Sequence, residues 1–129
     1  MSETRTREKS SPRDIQKRAF EFALRVVNLH RHLQSQDSAA RTLSGQILRS
    51  GTSIGANLEE ASAGQSKADF VSKCAIALKE ARETHYWLRL LAASEIVPSD
   101  RLEPLTHEAD ELISILTTIV RKASPARKT

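Results

Sequence analysis

Cysteine is almost missing. Cys74 stands alone among 129 residues, which excludes an internal disulfide framework and an all-cysteine metal site and fits a reducing compartment. Glycine and proline contribute only four residues each, too few for the many tight turns of a small barrel or sandwich. Aromatic residues reach just 4%, so the aromatic-rich runs of β-strands are lacking as well. No apolar run approaches the roughly 20 residues that span a bilayer. The first thirteen residues, MSETRTREKSSPR, carry no apolar segment of a secretory signal. The expected location is therefore the cytoplasm, with no membrane partner.

What remains is helix-forming. The chain holds sixteen Ala, fourteen Leu and eight Ile, residues that favour helices and pack a core of small and medium aliphatic side chains. A charged fraction of 28% and a mean hydropathy of -0.43 describe a water-compatible exterior. At 14.3 kDa the chain suits one domain.

The net charge of +4 is unevenly spread. Residues 1–31 hold eight Lys or Arg against four Asp or Glu, and residues 121–129 hold four basic residues and no acid. The stretch between them has eight basic and twelve acidic residues. Basic ends around an acidic body allow electrostatic contact with RNA or DNA. They equally serve solubility, and no interleaved Arg–aromatic surface, zinc finger or RNA-binding β-motif accompanies them.

Residues 1–11 are polar, charged and aperiodic, and are expected to be a disordered tail. Pro12 suits the first position of a helix, and Ile15, Ala19, Phe22, Val26, Leu29 and Leu33 then recur at alternating steps of four and three. That is a helix seam over about 12–34. Phe20, Ala23, Val27 and His30 widen the apolar sector beyond what one neighbour needs, while Arg13, Lys17 and Arg31 share the opposite side with Arg18 and Arg25 beside them.

A second helix is expected over 39–62, capped by Asp37 or Ser38 and ended by Gly64. Its middle, Ser50 to Glu60, contains Gly51 and Gly55. This run reads either as a loop or as a helix whose backbone approaches a neighbour closely, and the unbroken apolar register favours the helix. The third helix, 66–94, opens with a Ser66–Asp69 capping box. Its first stripe is Phe70, Cys74, Ala77, Leu78, Ala81, His85, Leu88 and Ala92. A second stripe of Ile76, Trp87 and Leu90 is interrupted by Glu80 and Glu83. Two apolar faces need two partners, and the only Trp on the second face points to self-association.

The fourth helix is expected at 104–122, with Leu105, Ala109, Leu112, Leu116 and Ile119 inward. Pro104 is either its first residue or follows a separate turn at 100–103. A basic tail, 123–129, follows. Four helices joined by short turns imply an all-α, antiparallel up-down-up-down bundle spanning 12–122.

Catalytic constellations are not found. A di-iron bundle needs Glu-x-x-His motifs, and none occurs. Cys74 lacks a His and Asp to activate it. The glycines do not follow a strand and lack the Lys of a phosphate loop, and Ser66-Lys67 is not a Ser-x-x-Lys pair. The expectation is a non-enzyme with no catalytic residue, no cofactor, no metal and no small-molecule substrate. More informative is the polar stripe Arg49, Ser53, Ala56 and Glu60, with Asn57 at its border. Arg49 paired with a carboxylate across an interface would fix register, whereas ordinary solvated surface is the plain reading.

Arg49-Ser50-x-x-Ser53-Ile54-Gly55-Ala56-Asn57-Leu58-Glu59-Glu60, then Ser66-Lys67-x-Asp69-Phe70 and Ala77-Leu78-Lys79-Glu80-Ala81-Arg82-Glu83-Thr84-x-Tyr86-Trp87-Leu88, form a combined pattern. Over about residues 13–122 it resembles the four-helix-bundle family often labelled 23S ribosomal RNA intervening-sequence, or S23-like, proteins. The resemblance implies small bundles assembled as ring-shaped homopentamers. A related branch resembles accessory proteins of diversity-generating retroelements, which bind nucleic acid and a reverse transcriptase. Two expectations follow. The first is a homo-oligomeric scaffold whose assembly residues are Arg49, Ser53, Asn57, Glu60, Ile76, Glu80, Glu83, Trp87 and Leu90. The second is a nucleic-acid-binding accessory protein using Arg13, Lys17, Arg18, Arg25 and Arg31 on the first helix.

Overall fold

The computed structural model describes residues 12–63 and 66–123, with side chains from residue 14 onward. The expected tails, the Gly64 helix stop and the Arg13 side chain lie outside the described residues. Four helices account for nearly everything described: α1 (Pro12–Leu33), α2 (Ser38–Ser62), α3 (Lys67–Ala93) and α4 (Ser99–Ala123). Asp37 caps α2 by accepting the Ala40 N–H at 2.9 Å, and Ser66 caps α3 by accepting the Asp69 N–H at 3.1 Å. Each helix packs on the next in the chain, and α1 closes lightly against α4. The result is an up-down bundle with α1 and α3 on one diagonal.

The α1 seam enters the core as its spacing predicts. Ile15, Ala19, Phe22, Val26 and Leu33 are all essentially fully buried. Through Gly51 and Gly55 α2 continues as a helix, and the reason for glycine is local. A Cβ on Gly51 would stand 2.9 Å from one methyl of Val26 and 3.0 Å from the other. Only a bare Cα lets α1 and α2 approach that closely.

Two expectations fail here. The fourth helix begins at Ser99, five residues before the expected 104, and Pro104 lies inside it. Leu102 and Leu105 are both buried, so core packing pulls the earlier turn into the helix. The missing Pro104 N–H frees only the carbonyl four residues back, on exposed Asp100, where water can satisfy it. On α3 the buried seam is Cys74, Ala77, Ala81, Thr84, Leu88 and Leu91, a strict three–four alternation. His85 is only half-buried at its flank.

Thr84 can occupy the core because its hydroxyl is satisfied. Its Oγ1 lies 2.8 Å from Ser50 Oγ and 2.8 Å from the Glu80 carbonyl. Ser50 in turn donates to the Gln46 carbonyl at 2.9 Å. Counting protons, Ser50 spends its own on Gln46, leaving Thr84 to donate to Ser50 or to Glu80. A second buried hydroxyl, Ser44, lies 2.6 Å from His30 Nδ1 and ties α2 to α1.

Candidate functional site

The expected assembly residues on α2 are mostly used within the chain. Ser53 Oγ donates to the Arg49 carbonyl at 2.7 Å, and Asn57 Nδ2 donates to the Ser53 carbonyl at 2.8 Å. These bonds run back along the helix and satisfy small polar side chains without a partner. Glu60 pairs with Lys73 of α3 at 2.9 Å. Arg49 bonds Glu83 in a short contact and lies 3.5 Å from Glu80, with Gln46 at 3.1 Å. The carboxylates that meet Arg49 are therefore on α3 of the same chain.

The same network anchors the tryptophan. Trp87 Nε1 donates to Glu83 Oε2 at 3.1 Å, and its ring meets Tyr86 edge-on with centroids 5.1 Å apart. The Arg89 guanidinium lies 5.7 Å from the Tyr86 ring centre. Trp87 is half-buried by these contacts. Its neighbours are not covered: Ile76 is 39% exposed, Tyr86 49% and Leu90 37%. Lys79, carrying the opposite charge to Glu83, is exposed on the same side.

On α1 the expected basic surface separates into parts. Arg18 is turned into the bundle, where it makes a bidentate pair with Glu108 of α4 at 2.9 and 2.8 Å and lies 3.9 Å from Glu111. The hydrogen bonds that Arg18 donates to the Glu108 carboxylate raise the guanidinium above its ordinary pKa, so Arg18 is a structural cation and not an open contact. Lys17, Arg25 and Arg31 are exposed, and none has a carboxylate partner among the described residues. Between Lys17 and Arg31 lie Phe20, 63% exposed, and Leu24, 52% exposed.

Sequence reasoning missed Leu24 and Tyr86. The Phe20–Leu24 spacing of four was the available signal for the first. Tyr86 follows Ile76 and precedes Leu90 on one side of α3, and that offered the second. All five exposed large apolar side chains among the described residues lie on α1 and α3.

Other chemistry finds little footing. Among the described residues, no group of three or more His, Cys, Asp or Glu is arranged to hold a metal ion. Cys74 is buried, and burial pushes its thiol above the ordinary value, which keeps it protonated and unreactive. No helix among the described residues is long and apolar enough to cross a membrane.

The family model for 23S rRNA-intervening sequence proteins matches residues 13–118. The chain belongs to this family. A solved crystal structure of a protein with unknown function from the S23 ribosomal protein family of Bacteroides thetaiotaomicron is 42% identical, with a TM-score of 0.78. That similarity covers 85% of this chain and 97% of the other. No curated protein matches. The S23-like bundle is thus a shared architecture, and the description of the solved relative attaches no activity to it.

Proposed function

We propose that this S23-like chain is a subunit of a homo-oligomeric scaffold that carries out no catalysis itself. One observation carries the reading: every large apolar side chain left exposed among the described residues lies on the outward side of α1 or α3. A monomer gains nothing by presenting Phe20, Leu24, Ile76, Tyr86 and Leu90 to water together, whereas contact with further copies removes them from it. The family resemblance makes a ring of five the expected assembly. Light scattering of the purified chain tests this. The expected mass is several-fold above the 14.3 kDa of one chain, and a persistent 14.3 kDa species at high concentration would contradict it.

A second reading has its own support in the unpaired cations Lys17, Arg25 and Arg31, with Phe20 beside them as a stacking surface. It makes the chain an accessory protein that binds RNA or DNA in a cytoplasmic complex, in the manner of the retroelement branch. Binding would weaken steeply with salt and on neutralising Lys17, Arg25 and Arg31. Absent or salt-insensitive binding would contradict it. Recording ultraviolet absorbance during the mass measurement reports co-purifying nucleic acid in the same run.

A further inference from the structure

The homo-oligomer reading gives the outward side of α3 a purpose but leaves open what keeps its aromatic part in shape, and this inference rests on that reading. We propose that Arg49 of α2 is a positioning residue for that face. Acting through Glu83, it fixes the indole of Trp87 and, through the indole, the ring of Tyr86, so that the surface is ordered before it meets another copy.

The relay turns on one atom. Glu83 Oε2 accepts from Arg49 Nη2 in the short contact and from Trp87 Nε1 at 3.1 Å. A carboxylate oxygen has two lone pairs, and here one is taken by a donor on α2 and the other by a donor one turn further along α3. Glu83 cannot turn away without giving up one of them. The guanidinium is itself held from two helices, by Gln46 Oε1 of α2 at 3.1 Å and Glu80 of α3 at 3.5 Å. Arg49 is half exposed, and a lone exposed ion pair is worth little. Its part here is therefore orientation, supplied by three acceptors converging on one planar group.

From Glu83 the relay reaches the exposed face. The half-buried indole meets the Tyr86 ring edge-on, 5.1 Å between centroids and 69° between planes. Tyr86 is 49% exposed, and the Arg89 guanidinium lies over its ring. A continuous path of contacts thus runs from a cation on α2, through Glu83 and the indole, to the most exposed aromatic side chain of α3. The side-chain hydrogen bonds of Arg49 among the described residues go to Gln46, Glu80 and Glu83, so its hold on the aromatic pair passes through Glu83.

Glu83 also has somewhere else to go. Lys79 stands one turn before it on the same helix, exposed and without a carboxylate partner among the described residues. Side chains four apart on a helix reach one another. Without Arg49 the carboxylate is free to turn toward Lys79, and Trp87 loses its acceptor. Arg49 therefore selects the arrangement in which the aromatic pair is anchored. Side chains ordered beforehand lose less freedom on association, and immobilising one loose side chain at the moment of contact weakens binding by about 2- to 10-fold.

The experiment compares the full-length wild type with Arg49→Met, Glu83→Met and Glu83→Gln, each checked for folding by circular dichroism. Trp87 is the only Trp in the chain, so its nanosecond fluorescence-anisotropy decay reports this ring alone, and a dilution series of the mass reports association. The wild-type indole should move with the chain. Arg49→Met and Glu83→Met should each add a fast local component and weaken association by about 2- to 10-fold. Glu83→Gln keeps an oxygen that accepts both bonds and should behave as the wild type in both readouts. An Arg49→Met indole as fixed as the wild type's overturns the inference. So does a Glu83→Gln chain that loosens as Glu83→Met does, since charge alone would then be at work. A loosened indole with unchanged association overturns the link from Arg49 to assembly. A monomeric wild type contradicts the homo-oligomer reading instead, and the anisotropy then decides the relay by itself.

Discussion

The two sides of α3 invert the usual arrangement of a surface helix. Its inward seam is built from Cys74, Ala77, Ala81, Thr84, Leu88 and Leu91, all at 1% exposure or less, and four of the six are small or polar. Its outward side carries Ile76, Tyr86 and Leu90, side chains as large as any inside. The inward side is small because α2 comes close, with Ser50 bonded to Thr84 across the seam. The outward side is large although nothing among the described residues covers it. α1 repeats the theme, with Phe22 buried and Phe20 at 63% exposure two residues away. A helix that presents large apolar residues away from its own core as well as toward it is shaped for a second interface.

Substitutions on the two sides should therefore separate stability from assembly. Urea unfolding at one fixed chain concentration measures the first, since assembly makes stability depend on concentration. The largest loss is expected from Leu88→Ala on the inward side, about 2–5 kcal/mol, because a fully buried side chain leaves a cavity. Next comes Gly51→Ala. The new methyl would meet both methyls of the stiff, buried Val26, and overpacking of about 1–3 kcal/mol outweighs the gain in helix propensity of up to about 1 kcal/mol. Gly45→Ala, where nothing stands within 4 Å, is the control and should stabilise by about 0.5–1 kcal/mol. Thr84→Val keeps the shape and removes the hydroxyl bonded to Ser50, at a cost of about 0.5–1.5 kcal/mol. Ile76→Asp on the outward side should change the mass in solution most, and added to a variant that is already monomeric it should change stability least, within about 0.5 kcal/mol.

The bundle was readable from spacing wherever apolar letters carried the seam, as in Ile15 to Leu33 on α1. It was less readable where packing overruled the letters. Thr84 sits in the buried stripe, but its hydroxyl disguised it until Ser50 appeared opposite. Pro104 suggested a helix start, and the burial of Leu102 moved that start forward. The charged positions were the hardest. Arg49 was recognised as a pairing residue, but spacing alone does not tell a carboxylate on the adjacent helix from one on another subunit. Arg18 stood with the α1 cations in projection, and only the arrival of Glu108 from α4 shows that it is spent internally. The outward apolar faces were half visible: Trp87 marked the α3 side, and the structure shows Tyr86, Leu24 and Phe20 to be more exposed than Trp87 itself.

The most direct test of the outward faces is the absolute mass of the purified wild-type chain beside that of Phe20→Asp. The account predicts a discrete wild-type oligomer several times 14.3 kDa and a folded Phe20→Asp monomer. A wild-type chain that stays at 14.3 kDa, or a Phe20→Asp variant that assembles like the wild type, would contradict it.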